Sequence, residues 1–431
     1  MKEPAHLLRG AFYVLLLLCA SVSIVFQQQA SAQSCTGWSA GPDMPSTAVR
    51  MVGVYFATNG KFYAVGGRSM DGVGNDFAHP FEYNPSSNSW TIKSATYPDN
   101  QVSNMACGVL DDSGTDYIYC VGGSAGAQAT ATARVFRYNP VTDVIESIAA
   151  PWPGDSDGIT LPGGFAVLNN KLYILGGFRI NTAMTNQIWE FTPTTNAWVL
   201  KNAVLPVARG YIPARTIWSF PDSYRIYTGG GSEWDGTTLV DTSDSFSYDP
   251  VTDSITTIAS IPRATGETGA VAWGAPKSSQ DMLVMGGGRT PPNPSNEVND
   301  YRPFDNQWFA GGHFMTARRN FAVDSDGGCG FTSGHIWLAG GYASDGTPLS
   351  SMEIYCQPCF QGTPTATPPV SPTPTATRTP TPTATFTPLS TATVTATATA
   401  TITATPATPT PTATARPATS PRPRPSPAPR P

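Results

Sequence analysis

The chain has 431 residues, a formal net charge of −5, 13% charged and 40% hydrophobic residues, with 41 Gly, 41 Pro, 7 Cys and 4 His. Charge is well below the roughly 25% of an average soluble chain, and it is unevenly placed. The first 34 residues hold Lys2, Glu3 and Arg9, the stretch after Phe360 holds five Arg and no acid, and 18 basic and 29 acidic residues lie between, a net of −11. A body this acidic excludes the clustered Lys and Arg on which affinity for a nucleic-acid backbone rests.

Residues 1–32 read as a secretory signal. Lys2 and Arg9 supply the positive start, Ala11 to Phe26 the apolar run, and Ala30-Ser31-Ala32 the small-residue cleavage site. The run is short for a bilayer span of about 20 residues, and Leu18 ahead of Cys19 is too large for a lipoprotein signal. Cleavage after Ala32 places the mature chain outside the cell, secreted or at the cell surface, with no membrane span left.

From there to Phe360 the chain repeats itself. A strand ending in two glycines recurs six times: FYAVGG at Gly67, IYCVGG at Gly123, LYILGG at Gly177, IYTGG at Gly230, LVMGG at Gly287 and IWLAGG at Gly341. The spacings are 56, 54, 53, 57 and 54 residues, a period at which repeat architectures are recognised. After most pairs an aromatic precedes a turn, as in EYNP at Tyr83, RYNP at Tyr138, EFTP at Phe191 and SYDP at Tyr248. Trp90, Trp198 and Trp308 each follow such an aromatic by seven residues, whereas Ile145 and Ile255 stand near that place in two other copies. Each copy reads as four short strands. In the first they run through RMVGVYFA, KFYAVGG, FEYNP and the Trp90 region, with Asn59-Gly60 as a strong hairpin turn.

Double glycine, later Tyr and Trp at one constant period resemble the kelch repeat, over residues 35–360. The resemblance implies an all-β, six-bladed kelch-type β-propeller, of the bacterial secreted kind in the galactose-oxidase-like superfamily. The physics agrees: one four-stranded sheet cannot bury both faces, but six packed around an axis can. The three expected parts are a signal at 1–32, the propeller at 33–360 and a Pro/Thr-rich segment at 361–431. The sixth copy stops after SMEIYC with no fourth strand, and Trp38 in CTGWSAGPDMP sits at the start of the mature chain. The N-terminal strand is therefore expected to complete the last blade beside Tyr355.

An oxidising compartment favours disulfides. Cys107 and Cys120 flank the turn at Ser113-Gly114 and fall opposite each other, so a cross-strand disulfide is expected. Cys35, Cys329, Cys356 and Cys359 all belong to the closing blade, where two more bridges can form, one joining Cys35 to Cys356 or Cys359. Metal binding by CQPC is the sharper alternative, although no second CxxC or His pair accompanies it.

Chemistry is sparse. His79, His313 and His335 fall in different places, and no Ser/His/Asp, Cys/His or copper set assembles by motif. DSDGG and DDSGTD lack the spacing of a calcium loop. No cofactor and no catalytic residue is assigned. The best polar constellation is the linker arginines Arg50, Arg209, Arg263 and Arg318, which start the innermost strand in four copies, with Glu267 of RATGETGA beside them. Arg presents planar paired donors to carboxylates and sugar oxygens; the plainer reading is that these arginines brace turns between blades. Trp152, Trp218, Trp234 and Trp273 lie outside the repeat pattern, where Trp stacks on sugars or simply packs.

Beyond Gly362 the chain is almost wholly Pro, Thr, Ala and Ser. It cannot bury enough apolar surface to offset chain entropy, and it reads as a disordered stalk or linker. The sequence thus points to a monomeric, secreted, non-catalytic module that binds a carbohydrate or an extracellular protein through loops of one face. The alternative is an enzyme resembling the kelch-type sialic acid mutarotases or epimerases, with Glu267 and Arg263 or Arg209 moving a proton.

Overall fold

A computed structural model describes residues 36–219, 223–275, 279–290, 293–328 and 333–358. The expected signal at 1–32, the segment 361–431, and Cys35, Cys329 and Cys359 lie outside the described residues.

The described residues form six four-stranded antiparallel sheets. Blade 1 comprises Val52–Phe56, Lys61–Val65, Phe81–Asn84 and Ser89–Ile92, from the axis outward. Blade 2 runs through Ala106–Asp112, Thr115–Val121, Val135–Asn139 and Val144–Ile148, and blade 3 through Thr160–Leu168, Lys171–Arg179, Ala183–Thr192 and Ala197–Val204. Blade 4 has Ala214–Ser219, Ser223–Thr228, Ser245–Asp249 and Ser254–Ile258, plus a separate ribbon, Gly231–Trp234 with Leu239–Thr242. Blade 5 has Ala270–Ala275, Ser279–Gly287, Ser295–Arg302 and Gln307–Ala310. Blade 6 has Ala322–Ser325, Ser333–Ala339 and Met352–Pro358, and its outer strand is Gly37–Ala40 from the start of the body. The innermost strands touch in ring order, and Val52–Phe56 meets both Ala106–Asp112 and Ala322–Ser325. No helix among the described residues is long and apolar enough to cross a membrane.

Burial falls from axis to rim. Phe62, Tyr63, Ala64 and Val65 of the second strand are all fully buried, because both faces of that strand meet a neighbouring blade. The outer strand Ser89–Ile92 is exposed at every position except Trp90, which is half-buried.

The recurring aromatics act as clamps between blades. The indole N–H of Trp90 donates to Pro42 O at 3.0 Å, Trp198 to Ala150 O at 2.9 Å and Trp308 to Ala259 O at 2.7 Å. In each case the acceptor is a carbonyl just past the outer strand of the preceding blade. Trp38 makes the same bond to Gly312 O at 3.2 Å, just past blade 5. It pairs directly opposite Tyr355, with ring centroids 5.3 Å apart. The ring is therefore closed by the N-terminal strand, as the missing strand of the sixth copy implied.

Blades 2 and 4, with Ile145 and Ile255, lack the indole bond and keep a second contact that blade 5 also makes, where Tyr301 donates to Asn306 at 2.9 Å and Asn306 accepts from Ala259 N at 2.8 Å. Tyr138 and Tyr248 each donate to an Asp five residues on, Asp143 and Asp253, both at 2.9 Å. Those carboxylates accept from the chain leaving the preceding blade, Ser94 N at 2.8 Å and Asn202 N at 2.9 Å. The sheets stay four-stranded, held by this contact without the indole bond.

The glycine pairs serve close approach. Gly66 and Gly67 have φ of 71° and 80°, and a Cβ on Gly66 would lie 2.2 Å from Val102 O of the next blade. The fourth copy has three glycines in a row, and the left-handed pair there is Gly230–Gly231. Cys107 and Cys120 are register partners and form a disulfide, with Cα atoms 4.2 Å apart. Cys356 is also disulfide-bonded, and its partner lies outside the described residues.

Trp38→Ala should lower stability by about 2–3 kcal/mol through lost apolar contact and a lost clamp. The expected result is a lower urea midpoint with an unchanged m-value. A midpoint equal to that of the unsubstituted protein would show that the N-terminal strand does not close the ring.

Candidate functional site

The axis holds a cavity of about 520 Å³ lined by the innermost strands of all six blades, a size typical of small-ligand sites. One residue at the start of these strands recurs in a left-handed conformation: Arg50, Asn104, Tyr211, Glu267 and Asn320, with φ between 50° and 61°. Such φ values are uncommon outside Gly and persist only where the surroundings over-determine them. Four of them are tied by backbone bonds running from blade to blade. Asn320 N donates to Glu267 O at 2.6 Å, Arg50 N to Asn320 O at 2.8 Å, and Asn104 N to Arg50 O at 3.1 Å. Blade 3 breaks the series with Pro162, which has no N–H to give. All five left-handed residues line the cavity at one mouth.

Around Glu267 this mouth becomes a bowl of charge. Glu267 is buried, 2% exposed, and its oxygens pair with Arg289 Nε and Arg319 Nη1, each at 2.5 Å. Burial pushes its carboxyl up, but Arg289, Arg319 and Arg50 outweigh that and hold it below the usual range. Asp71, on a loop of blade 1, faces Arg50 at 3.5 Å and Arg68 at 3.8 Å. Tyr342 ties the rim together: its hydroxyl accepts from Arg50 Nε at 3.0 Å and donates to Asp71 at 2.8 Å, while Arg319 lies 4.5 Å over its ring. Four guanidiniums thus face two carboxylates. Burial and the nearby Arg50 both lower the pKa of Arg68.

Two donors at this mouth are buried and make no hydrogen bond among the described residues, Arg68 Nε and Asn320 Nδ2. Arg68 and Asn320 are 5% and 8% exposed. Buried donors without acceptors are costly, and an acceptor-rich guest would satisfy them.

The linker arginines do not sit together. Arg318 is fully buried and donates to Gly340 O and Ser351 O, both at 2.9 Å, and pairs with Glu353 at 2.7 Å. Arg209 is fully buried too, bonded to Thr242 Oγ1 at 3.0 Å and Asp244 O at 3.1 Å. Arg263 donates to Gly286 O at 2.9 Å. Arg134 does the same for blade 2 at Gly122 O, 3.0 Å. These side chains brace their blades' glycine turns. Arg50 lies two positions further along the repeat, where the counterparts of Arg209 and Arg318 are followed by Tyr211 and Asn320; only Arg50 and Glu267 of the expected set line the bowl. Arg68, Arg289, Arg319, Tyr342 and Asp71 were not singled out from sequence. Their signal is position: Arg68 and Tyr342 directly follow a glycine pair, and Arg289 follows the GGG of blade 5.

The far mouth differs in charge. Arg215 of blade 4 reaches across to Asp324 of blade 6 at 2.9 Å, and Asp324 also accepts from Tyr55 N at 2.7 Å. Asp326 lies 3.0 Å from His335 Nδ1. Among the described residues no three His, Cys, Asp or Glu gather as a metal set.

Glu267→Gln should destabilise the protein by about 3–5 kcal/mol at neutral pH, because it strands guanidiniums paired to a buried carboxylate. A carboxyl held low when folded contributes stability above its unfolded pKa and loses it as pH falls through the folded value. Urea unfolding of both proteins across pH should therefore show a gap at neutral pH that closes on acidification. Equal stability at pH 7 would refute the pairing.

No protein-family model matches the chain. It is 25% identical to the Kelch-like protein terF of Aspergillus terreus over 239 residues, 53% of this chain and 48% of that protein. It is 31% identical to the mouse Kelch-like protein 35 over 137 residues, 32% of this chain and 20% of that one. The chain thus spans about half or less of the length of these curated relatives. The solved structure of YjhT matches with a TM-score of 0.53 at 14% identity, covering 72% of this chain and 95% of that one, a likeness of fold alone. Six sheets closed by an N-terminal strand, glycine pairs at a constant period, interlocking Trp and Tyr clamps, and kelch relatives in the curated proteins together identify this chain as a kelch-repeat β-propeller.

Proposed function

We propose that this propeller is a secreted or cell-surface, non-catalytic binding module whose ligand presents a carboxylate to the arginine bowl. Kelch propellers are binding and protein-interaction scaffolds, and fold alone does not choose a ligand. The observation that carries the choice is the bowl itself. Four guanidiniums converge on two carboxylates, and two buried donors there, Nε of one of those guanidiniums (Arg68) and Nδ2 of Asn320, make no hydrogen bond among the described residues. Arg is the side chain suited to bidentate capture of carboxylates. The leader at 1–32 and the disulfide between Cys107 and Cys120 support an extracellular setting. The body's net charge of −11 between Cys35 and Phe360 makes the bowl a local positive site on an acidic molecule, so recognition is short-ranged and favours ligands of low charge.

The sialic acid mutarotase-like reading gains Glu267 at the mouth but loses its proton chemistry. Glu267 is pinned between Arg289 and Arg319 with its pKa held low, which makes it a weak general base. Arg209 and Arg263 are engaged at glycine turns.

Screening the protein on glycan and acidic-peptide arrays tests the proposal. Hits should carry carboxylates, and Arg50→Gln with Arg68→Gln should weaken them by roughly tenfold or more while leaving the melting temperature within a few degrees. Neutral hits, or acidic hits indifferent to both substitutions, would refute it. NMR anomerisation of sialic acid should show no acceleration over buffer, and acceleration would favour the enzyme.

A further inference from the structure

Beside the bowl stands an apolar wall that the carboxylate reading leaves unused. The second and third strands of blade 3, Lys171–Arg179 and Ala183–Thr192, are nine and ten residues long, against five and four in blade 1. Their extra length runs past the glycine pair at Gly176–Gly177 on the mouth side, because each second strand leads to its glycines there. Blade 4 adds the ribbon Gly231–Trp234 with Leu239–Thr242, which starts at its own glycine pair and bridges back to Gly210. Between the two projections Phe178 packs against Tyr211 at 5.9 Å and Trp234 at 5.6 Å. Ile180, Met184 and Leu239 fill the same cluster and are half-buried, as are Tyr211 and Trp234. Tyr211 belongs to both regions, being a left-handed residue of the mouth and a member of the wall.

Resting on the carboxylate reading, we infer that the ligand is an acidic saccharide of at least two rings, with the carboxylate of one ring in the arginine bowl and the next ring on the Tyr211–Trp234 wall. The wall is aromatic with polar tips: the Tyr211 hydroxyl and the Trp234 indole N–H have no hydrogen-bond partner among the described residues. Such faces take the C–H side of a sugar ring while the tips meet its oxygens. The neighbouring orphans, Arg68 Nε and Asn320 Nδ2, are also donors, suited to hydroxyl and ring oxygens. Asp71, with its side chain 61% exposed, is the acceptor that a sugar hydroxyl needs. An acidic peptide would fill the bowl too, but its own backbone donors would add nothing to a rim made of donors. Trp234 stands one aromatic ring, Phe178, beyond Tyr211. The wall therefore continues past the reach of a single sugar seated in the bowl.

Calorimetric titration of the full chain with galacturonic acid, its α-1,4-linked dimer and trimer, neutral galactobiose and a hexaglutamate peptide tests this. The dimer should bind roughly tenfold tighter than the monomer, and the trimer little tighter than the dimer. Trp234→Ala should erase the gain from the second ring and leave monomer affinity unchanged, while Arg68→Gln should weaken both. Trp234→Phe keeps the apolar face and should retain most of the gain, which separates stacking from a folding defect. Equal affinity of monomer and dimer, or a dimer gain that survives Trp234→Ala, overturns the inference and leaves the bowl standing. Hexaglutamate binding that depends on Arg68, with no saccharide bound, also overturns the saccharide and keeps the bowl. Tight galactobiose binding overturns both.

Discussion

The pairing of Gly37–Ala40 with Met352–Pro358, with the Trp38 indole bonded to Gly312 O, is the constraint on which the rest of the molecule depends. A propeller avoids open sheet edges only by arranging blades in a closed circle, and this circle is closed by a strand from the far end of the body. Blade 6 takes three strands from the last repeat and its fourth from Gly37–Ala40. Once that strand is seated, the two ends of the body share one sheet. The interblade bonds at the mouth then become continuous, from Glu267 through Asn320 and Arg50 to Asn104. Without closure, the backbone of Arg50 has no neighbour at Asn320 to hold it left-handed.

That dependence links stability to recognition. The five left-handed residues carry strain that a free chain would release. The ring imposes it and in return points five chosen side chains at a single axis. Two of the five are charged, two are amides and one is a phenol. The charges gather toward blades 1, 5 and 6, and the apolar wall rises over blades 3 and 4. The bowl is therefore lopsided although its scaffold is close to six-fold, and Pro162 marks where the symmetry is interrupted.

Much of the scaffold was legible because repetition amplifies weak signals. Six glycine pairs at a steady period fix six hairpins, since only glycine tolerates the neighbouring carbonyl at such a distance. Cys107 and Cys120 could be paired by counting from a turn, and Trp38 by noticing a missing strand. The bowl was not legible in the same way. Arg50 and Arg209 look alike in AVR and VAR, yet they sit two residues apart in the repeat and have opposite roles, one lining the mouth and one bracing a turn. How blades 2 and 4 do without the indole bond was hidden because Ile stands in the place of Trp, and the contact they keep, from Tyr138 to Asp143 and Tyr248 to Asp253, lies two residues earlier, where blade 5 uses Asn306. GGGSEWDGTTLV reads as loop, because Gly, Asp and Thr are turn formers, and it is the ribbon that carries Trp234.

The left-handed positions have a consequence for how such a molecule changes over time. Four of the five are tied through main-chain atoms, and Arg, Asn, Tyr and Glu coexist at equivalent places, although Glu267 is also held by its buried pairs with Arg289 and Arg319. At Asn104 and Asn320 a single codon can alter the chemistry at the mouth while the main-chain bonds that present it remain, whereas a change at Glu267 also unpairs two guanidiniums. Specificity in this protein is thus encoded at a handful of equivalent positions, some coupled to one another and some not, and descendants of the same gene can acquire new ligands most readily through the uncoupled ones.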